Sequence, residues 1–203
     1  MTITEMFLTP NKYSRPQIKL EKVTKIAVHY VGNPRSTAKN NRDYFENLKD
    51  THATYVSSHF VIGLEGEIIQ CIPLDEWSYC TNQANGYSIS IECCHPDSTG
   101  KFNTATENSL AELCAYLCGK FGLTADDIIR HYDVTGKKCP LWYVNHPEDF
   151  AALKSRVSKL LTSDEKPSTM YYVQVGAFSS KANAEKYLET VKKDYPNAFI
   201  KTM

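Results

Sequence analysis

The chain lacks any apolar run approaching the roughly 18 residues of a membrane-spanning helix. It also lacks net charge: lysine plus arginine and aspartate plus glutamate each number 23, so no global field favours nucleic acid or an anionic membrane. Met1-Thr2-Ile3-Thr4-Glu5 has neither the basic start nor the apolar stretch of a secretory signal, and synthesis in the cytoplasm is the expectation. The seven cysteines are an odd set without an export signal, which argues for a reducing origin and free thiols rather than a disulfide framework. What remains is a chain of 203 residues, enough to bury a real core as one large domain or as a medium domain with an appendage.

Residues 1–21 show no strong period and are expected to lead into the domain along its surface. Thr24 to Val31 reads as a buried strand ended by Gly32-Asn33-Pro34. Ser36 or Thr37 can cap a helix running to about Lys49, with Ala38, Phe45 and Leu48 inward. Thr54 to Leu64 is β-rich, Glu65-Gly66 makes a hairpin turn, and Glu67 to Ile72 returns as the partner strand. Pro73 to Gly86 is a polar, aromatic loop of the kind that lines a cleft. Tyr87 to Cys94 alternates: Ile89, Ile91 and Cys93 share one face, and Ser88, Ser90, Glu92 and Cys94 the other, which aims Glu92 away from the apolar layer. Thr104 with Glu107 forms a capping-box pattern before an amphipathic helix that Gly122 stops. Pro147 opens a last helix with Phe150, Leu153, Val157, Leu160 and Leu161 inward.

The chemistry concentrates in Ile129-Arg130-His131-Tyr132-Asp133-Val134-Thr135-Gly136-Lys137-Lys138-Cys139-Pro140. An imidazole and a thiol stand eight positions apart around a glycine and two lysines, after a short strand from Asp127 to Arg130. Histidine and thiolate are good zinc ligands, and a catalytic site wants a third protein ligand while leaving one position open. His29, at the end of Lys25-Ile26-Ala27-Val28-His29, is the best placed third. Alone, His29 would be read as an ordinary buried histidine. A papain-like nucleophile at Cys139 is disfavoured because no strand-to-helix nucleophile setting surrounds it. Cys114 and Cys118 lie on a helix's apolar face, and Cys71, Cys93 and Cys94 in strands; all read as small buried hydrophobes, while Cys80, in a loop, is uninformative.

The order of His on an early strand, Glu on a middle strand and then His-x5-Lys-x-Cys-Pro resembles the zinc-dependent N-acetylmuramoyl-L-alanine amidases of the phage-endolysin and autolysin type, relatives of peptidoglycan recognition proteins. The likeness covers roughly residues 20–161. It implies an α+β fold with a mixed central β-sheet flanked by helices, and hydrolysis of the amide between N-acetylmuramic acid and L-alanine in bacterial peptidoglycan. Through it His29, His131 and Cys139 are the Zn2+ ligands. Glu92, within Ser88-Ile89-Ser90-Ile91-Glu92, is the general base; its bland alternative is a solvent-facing strand residue. Lys137 matches a lysine facing the scissile carbonyl. A tyrosine-based branch of the family is disfavoured, since Ser58 stands before His59-Phe60 here. His59 is as readily a structural group in the sheet. Trp77 and Tyr79 are expected to contact substrate, because sugar rings and stem peptides present apolar faces to aromatics.

Thr162 to Thr169 is a polar linker. Beyond it Tyr172-Val173-Gln174-Val175-Gly176-Ala177-Phe178-Ser179, followed by Ala182, Ala184 and Tyr187, resembles the start of a SPOR domain, a ferredoxin-like fold that binds peptidoglycan glycan. Strands over 171–178 and 198–202 and a helix over 180–193 would make only half of it, βαβ. The first two strands of that fold are not neighbours, so a lone half cannot close a sheet. The expected organisation is therefore a catalytic domain 1–161, a linker 162–169, and a segment 170–203 that pairs with a second copy or holds wall. The lack of a signal suggests a phage or prophage lysin acting at the wall after release. The competing reading is a module that binds muropeptide without cutting it.

Overall fold

A computed structural model describes residues 1–163, 174–195 and 198–200. The chain divides into two compact units, Met1–Glu165 and Lys166–Met203. Within the first, six strands form one sheet in the order β1-β4-β3-β5-β2-β6. These are β1 (Ile3–Glu5), β2 (Lys25–Tyr30), β3 (Phe60–Ile62), β4 (Ile68–Gln70), β5 (Ser88–Cys93) and β6 (Ile128–Arg130). Among these six strands only β3 and β4 pair antiparallel, through a turn in which Gly66 takes a φ of 81° that side chains avoid. All other pairings are parallel. This is the mixed, helix-flanked sheet the resemblance implied.

Alternation along the strands makes two layers. Ile26, Val28, Phe60, Ile62, Ile89, Ile91 and Cys93 point to one face. There they meet Leu110, Leu113, Cys114 and Leu117 of helix α2 (Thr104–Phe121) and Phe150, Leu153 and Val157 of α5 (Pro147–Ser163). Val61, Ile69 and Cys94 face the other side, against Ala38 and Phe45 of α1 (Ala38–Thr51). All seven cysteines are buried free thiols, Cys80 included. No helix among the described residues is long and apolar enough to cross a membrane.

Four details differ from the sequence expectations. The N-terminal segment is no surface lead: Ile3–Glu5 pairs with Ile68–Gln70, and Leu8 is buried. The β-rich stretch before the hairpin yields strand only at Phe60–Ile62, because Val56 and Ser57 give their N–H groups to Tyr13 O and Tyr79 O instead of a ladder. Helix α2 is capped by Asn103, whose Oδ1 accepts from Thr106 N–H at 2.9 Å; Glu107 accepts from Tyr143 Oη–H at 3.0 Å rather than closing a box with Thr104. And β6 runs straight into α3 (His131–Thr135), which α4 (Leu141–Asn145) follows, two short helices that the sequence reading did not place.

In the second unit, α6 (Lys181–Val191) occupies the expected helix, with the Tyr187 ring 5.3 Å from that of Phe178. Residues 174–178 and 198–200 carry no strand, and the rest of the two expected strands, 171–173 and 201–202, lies outside the described residues, as do 164–169 of the expected linker.

Candidate active site

The site forms on the sheet face opposite α2, at the carboxyl ends of parallel strands β2 and β5, where open α/β sheets place their ligands. His29 and Glu92 are register partners on these adjacent strands, so both side chains rise from one face side by side. β6 flanks β2 and delivers His131 one residue past its end. Arg130 N–H donates to Asp133 Oδ2 at 2.8 Å, which fixes the start of α3, and Gly136 closes the turn at φ 76°. The chain then doubles back, Tyr132 N–H donating to Cys139 O at 3.0 Å before the cis Cys139–Pro140 bond. That return is what brings a thiol eight positions downstream onto the same histidine pair.

His29, His131 and Cys139 are 1%, 5% and 3% exposed. One donor atom from each lies within 4.8 Å of the other two, so the three form a group that could hold a metal ion. His29 Nδ1 is 3.6 Å from Cys139 Sγ, and the two imidazoles meet edge to face at 4.8 Å between centroids. His29, Cys80 and Glu92 also approach within 4.8 Å, but that set shares His29 and would consume the carboxylate.

The electrostatics suit metal ligands. Burial, then His131 and Lys137, holds His29 well below its usual range, and burial followed by Lys137 lowers His131, so both rings are neutral. Burial, reinforced by Glu92, pushes the Cys139 thiol up to about 12, so without a cation it keeps its proton. Burial likewise pushes Glu92 up to about 8, against the opposing pull of the Cys80 thiol and Lys137. Cys80 Sγ–H donates to Glu92 Oε1 at 3.6 Å, while Oε2 is the one buried side-chain oxygen or nitrogen among the described residues without a partner. A neutral imidazole pair, a thiol that only a cation would ionise and an open carboxylate oxygen fit a zinc ion with one vacant position.

Lys137 stands on the exposed loop between His131 and Cys139, close enough to act electrostatically on Glu92, His29, His131 and Cys139. Trp77 packs against the main core and beside Gly86, where an added Cβ would come within 2.8 Å of the indole. Tyr79 is half-buried, with its ring 5.7 Å from that of exposed Tyr55. His59 lies inside the sheet: Ser90 N–H donates to its Nδ1 at 3.1 Å and its Nε2–H donates to Glu76 O at 2.9 Å.

The residues that sequence reasoning missed are Cys80, Thr81 and Asn82. Thr81 Oγ1 is 2.9 Å from His29 Nε2, and Asn82 Oδ1 is 3.1 Å from His131 Nε2. Their only advance signal was a polar loop, Cys80-Thr81-Asn82-Gln83-Ala84-Asn85, directly before the strand that carries Glu92.

The family model described as N-acetylmuramoyl-L-alanine amidase (Amidase_2) matches residues 19–142, and a model described as SPOR domain matches residues 153–203. The chain belongs to the N-acetylmuramoyl-L-alanine amidase family. It is 34% identical over 204 residues to the N-acetylmuramoyl-L-alanine amidase BlyA of Bacillus subtilis (strain 168), covering 87% of this chain and 54% of that one. It is 32% identical over 207 residues to the N-acetylmuramoyl-L-alanine amidase CwlL of Bacillus licheniformis, covering 90% and 57%. The chain thus spans about half the length of the curated relatives it matches. Among solved structures, a mutant endolysin from Bacillus subtilis superposes with a TM-score of 0.64 at 25% identity, over 74% of this chain and 97% of that one.

Proposed function

We propose that this chain is a peptidoglycan hydrolase that cleaves the amide between the lactyl group of N-acetylmuramic acid and L-alanine, in the manner of an endolysin or autolysin. The observation that carries the reading is the convergence of His29, His131 and Cys139 beside the open oxygen of Glu92, in a chain of the amidase family. Zinc held by His29, His131 and Cys139 would lower the pKa of a water to about 7 and polarise the scissile carbonyl.

The chain's own groups supply the rest. Glu92, with Oε1 fixed by Cys80, keeps Oε2 free to take the proton of the attacking water and to hand it to the departing alanine nitrogen. Burial raises its proton affinity in the metal-free chain, and a cation held by the three donors would oppose that rise and favour the ionised carboxylate that a base must be. Lys137 places a positive charge over the site and balances the developing oxyanion. Trp77 and Tyr79 are the aromatics assigned to substrate, Tyr79 with the ring of Tyr55 set edge-on to its own at 5.7 Å and able to meet a sugar or stem peptide.

Residues 170–203 add a second attachment. Val175, Phe178 and Tyr187 are exposed on the single chain, and a second copy's segment would cover them while supplying the missing neighbour strands. The result is a homodimer whose joint SPOR-like surface holds glycan, acting at the wall after release from the cell. Light scattering should give twice the monomer mass, falling to one on deletion of 170–203. The chemistry is tested by mass spectrometry of digested peptidoglycan: stem peptides with a free amino-terminal alanine and glycan without peptide are expected. Peptides still carrying muramic acid would mean that another bond is cut.

A further inference from the structure

We infer that Cys80, Thr81 and Asn82 are a positioning clamp, three consecutive side chains that each hold a different member of the metal-and-base constellation. The inference rests on the ligand assignment above. Thr81 Oγ1 meets His29 Nε2 at 2.9 Å, Asn82 Oδ1 meets His131 Nε2 at 3.1 Å, and Cys80 Sγ–H donates to Glu92 Oε1 at 3.6 Å.

Consecutive residues of a regular strand could not do this, since their side chains alternate between opposite faces. Here Asn82 takes φ 51°, a left-handed conformation that asparagine tolerates better than most residues, and leads into a 3-10 turn over Asn82–Ala84. The turn has its own scaffold. Asn85 Oδ1 accepts from the N–H groups of Cys80 and Thr81 at 3.2 and 2.7 Å, Ala84 N–H donates to Thr81 O at 3.0 Å, and Ser88 Oγ–H donates to Ala84 O at 2.8 Å. The clamp is therefore anchored to the start of β5 and does not depend on the groups it holds.

The chemical consequence follows from donor and acceptor roles. An amide oxygen only accepts, so Asn82 fixes the proton of His131 on Nε2 and leaves the lone pair on Nδ1. The Thr81 hydroxyl can accept from His29 Nε2–H, which leaves His29 Nδ1, the atom facing Cys139 Sγ, with its lone pair. Ligating histidines need such an outer partner to fix tautomer and ring direction, and its loss typically costs about 10–100-fold in metal affinity. Cys80 does the parallel task for Glu92, engaging one oxygen so that the other stays open.

The test is zinc affinity of the full chain by competition with a chromophoric chelator. Thr81→Val removes the hydroxyl at constant shape, Thr81→Ser restores it, and Asn82→Gly removes the amide while tolerating the left-handed φ. Thr81→Val and Asn82→Gly should each weaken zinc about 10–100-fold. Thr81→Ser should bind zinc as the unaltered chain does, and all three should remain folded when metal-free, as read by circular dichroism. Cys80→Ala should leave zinc affinity unchanged and lower kcat without moving KM, with Cys80→Ser recovering the rate. Zinc affinity unchanged in both Thr81→Val and Asn82→Gly, or weakened as much in Thr81→Ser as in Thr81→Val, would overturn the clamp. Unchanged zinc affinity in His131→Ala is the separate result that would overturn the ligand set, and the clamp with it.

Discussion

Replacing Glu92 by glutamine should abolish the proposed amide hydrolysis and at the same time stabilise the metal-free chain. Burial pushes the Glu92 carboxyl from an ordinary 4.5 to about 8, so at pH 7 the metal-free native chain holds a proton there that the unfolded chain has released. Folding then carries a cost of roughly 1.36 kcal/mol for each of the ~2.5 pH units between 4.5 and 7, about 3 kcal/mol. Between pH 4.5 and 8 the native state binds more protons than the unfolded one, so stability from this group falls as pH rises. Glutamine abolishes the cost. Its amide nitrogen, set where Oε2 has no partner, returns about 1–2 kcal/mol of it as an unmade hydrogen bond. The net gain of about 1–2 kcal/mol corresponds to a rise of roughly 2–8 °C for a chain of this size. Loss of the proposed general base should lower the rate about 10²–10⁴-fold. Chelated samples followed by thermal unfolding at pH 5 and pH 7, alongside amine release from peptidoglycan by zinc-loaded samples, measure both halves. A Glu92→Gln chain that is less stable at pH 7, or that retains its activity, would refute the reasoning.

Zinc binding at pH 7 should release at least one proton, because burial holds the Cys139 thiol up at about 12 until a cation displaces its proton; calorimetry in two buffers of different ionisation enthalpy reads this, and a buffer-independent enthalpy would contradict it. His59 is held down to about 4 by burial, so its contribution is complete above pH 6.5 and is lost as pH falls from 6.5 toward 4, about 3 kcal/mol in all. Urea unfolding across that window should show a shallower decline for His59→Gln than for the unaltered chain. Asn103→Ala should cost about 1 kcal/mol by removing the α2 cap, whereas Thr104→Ala should cost a few tenths; equal losses would mean that the cap is shared.

Much of this was legible in the sequence, for physical reasons that differ from element to element. The alternation of Ser88 to Cys94 placed Glu92 opposite the apolar layer because a strand buried on both faces still sorts its side chains by period. The stop of α2 at Gly122 was visible because its φ of 65° suits glycine. The pairing of His131 with Cys139 stood out because few other roles need that donor set. Strand β1 was not legible: three residues at a sheet edge bury too little to leave a period. Nor was the turn α3, whose start rests on Asp133 reaching back to Arg130 rather than on any apolar stripe. Cys80, Thr81 and Asn82 were hidden for another reason. Each acts on a residue 12 to 52 positions away, and contacts at that range belong to the fold rather than to the local sequence.

The central claim, amide hydrolysis that depends on a metal at His29, His131 and Cys139 with Glu92 as base, is tested most directly by titrating zinc into the chelated chain while counting new amino-terminal alanine from purified peptidoglycan. The account predicts no alanine without metal, release that rises linearly to one zinc per chain, and none at any loading in Cys139→Ala. Alanine release that persists under chelation, or muropeptide bound tightly with no alanine released at full zinc loading, would contradict it.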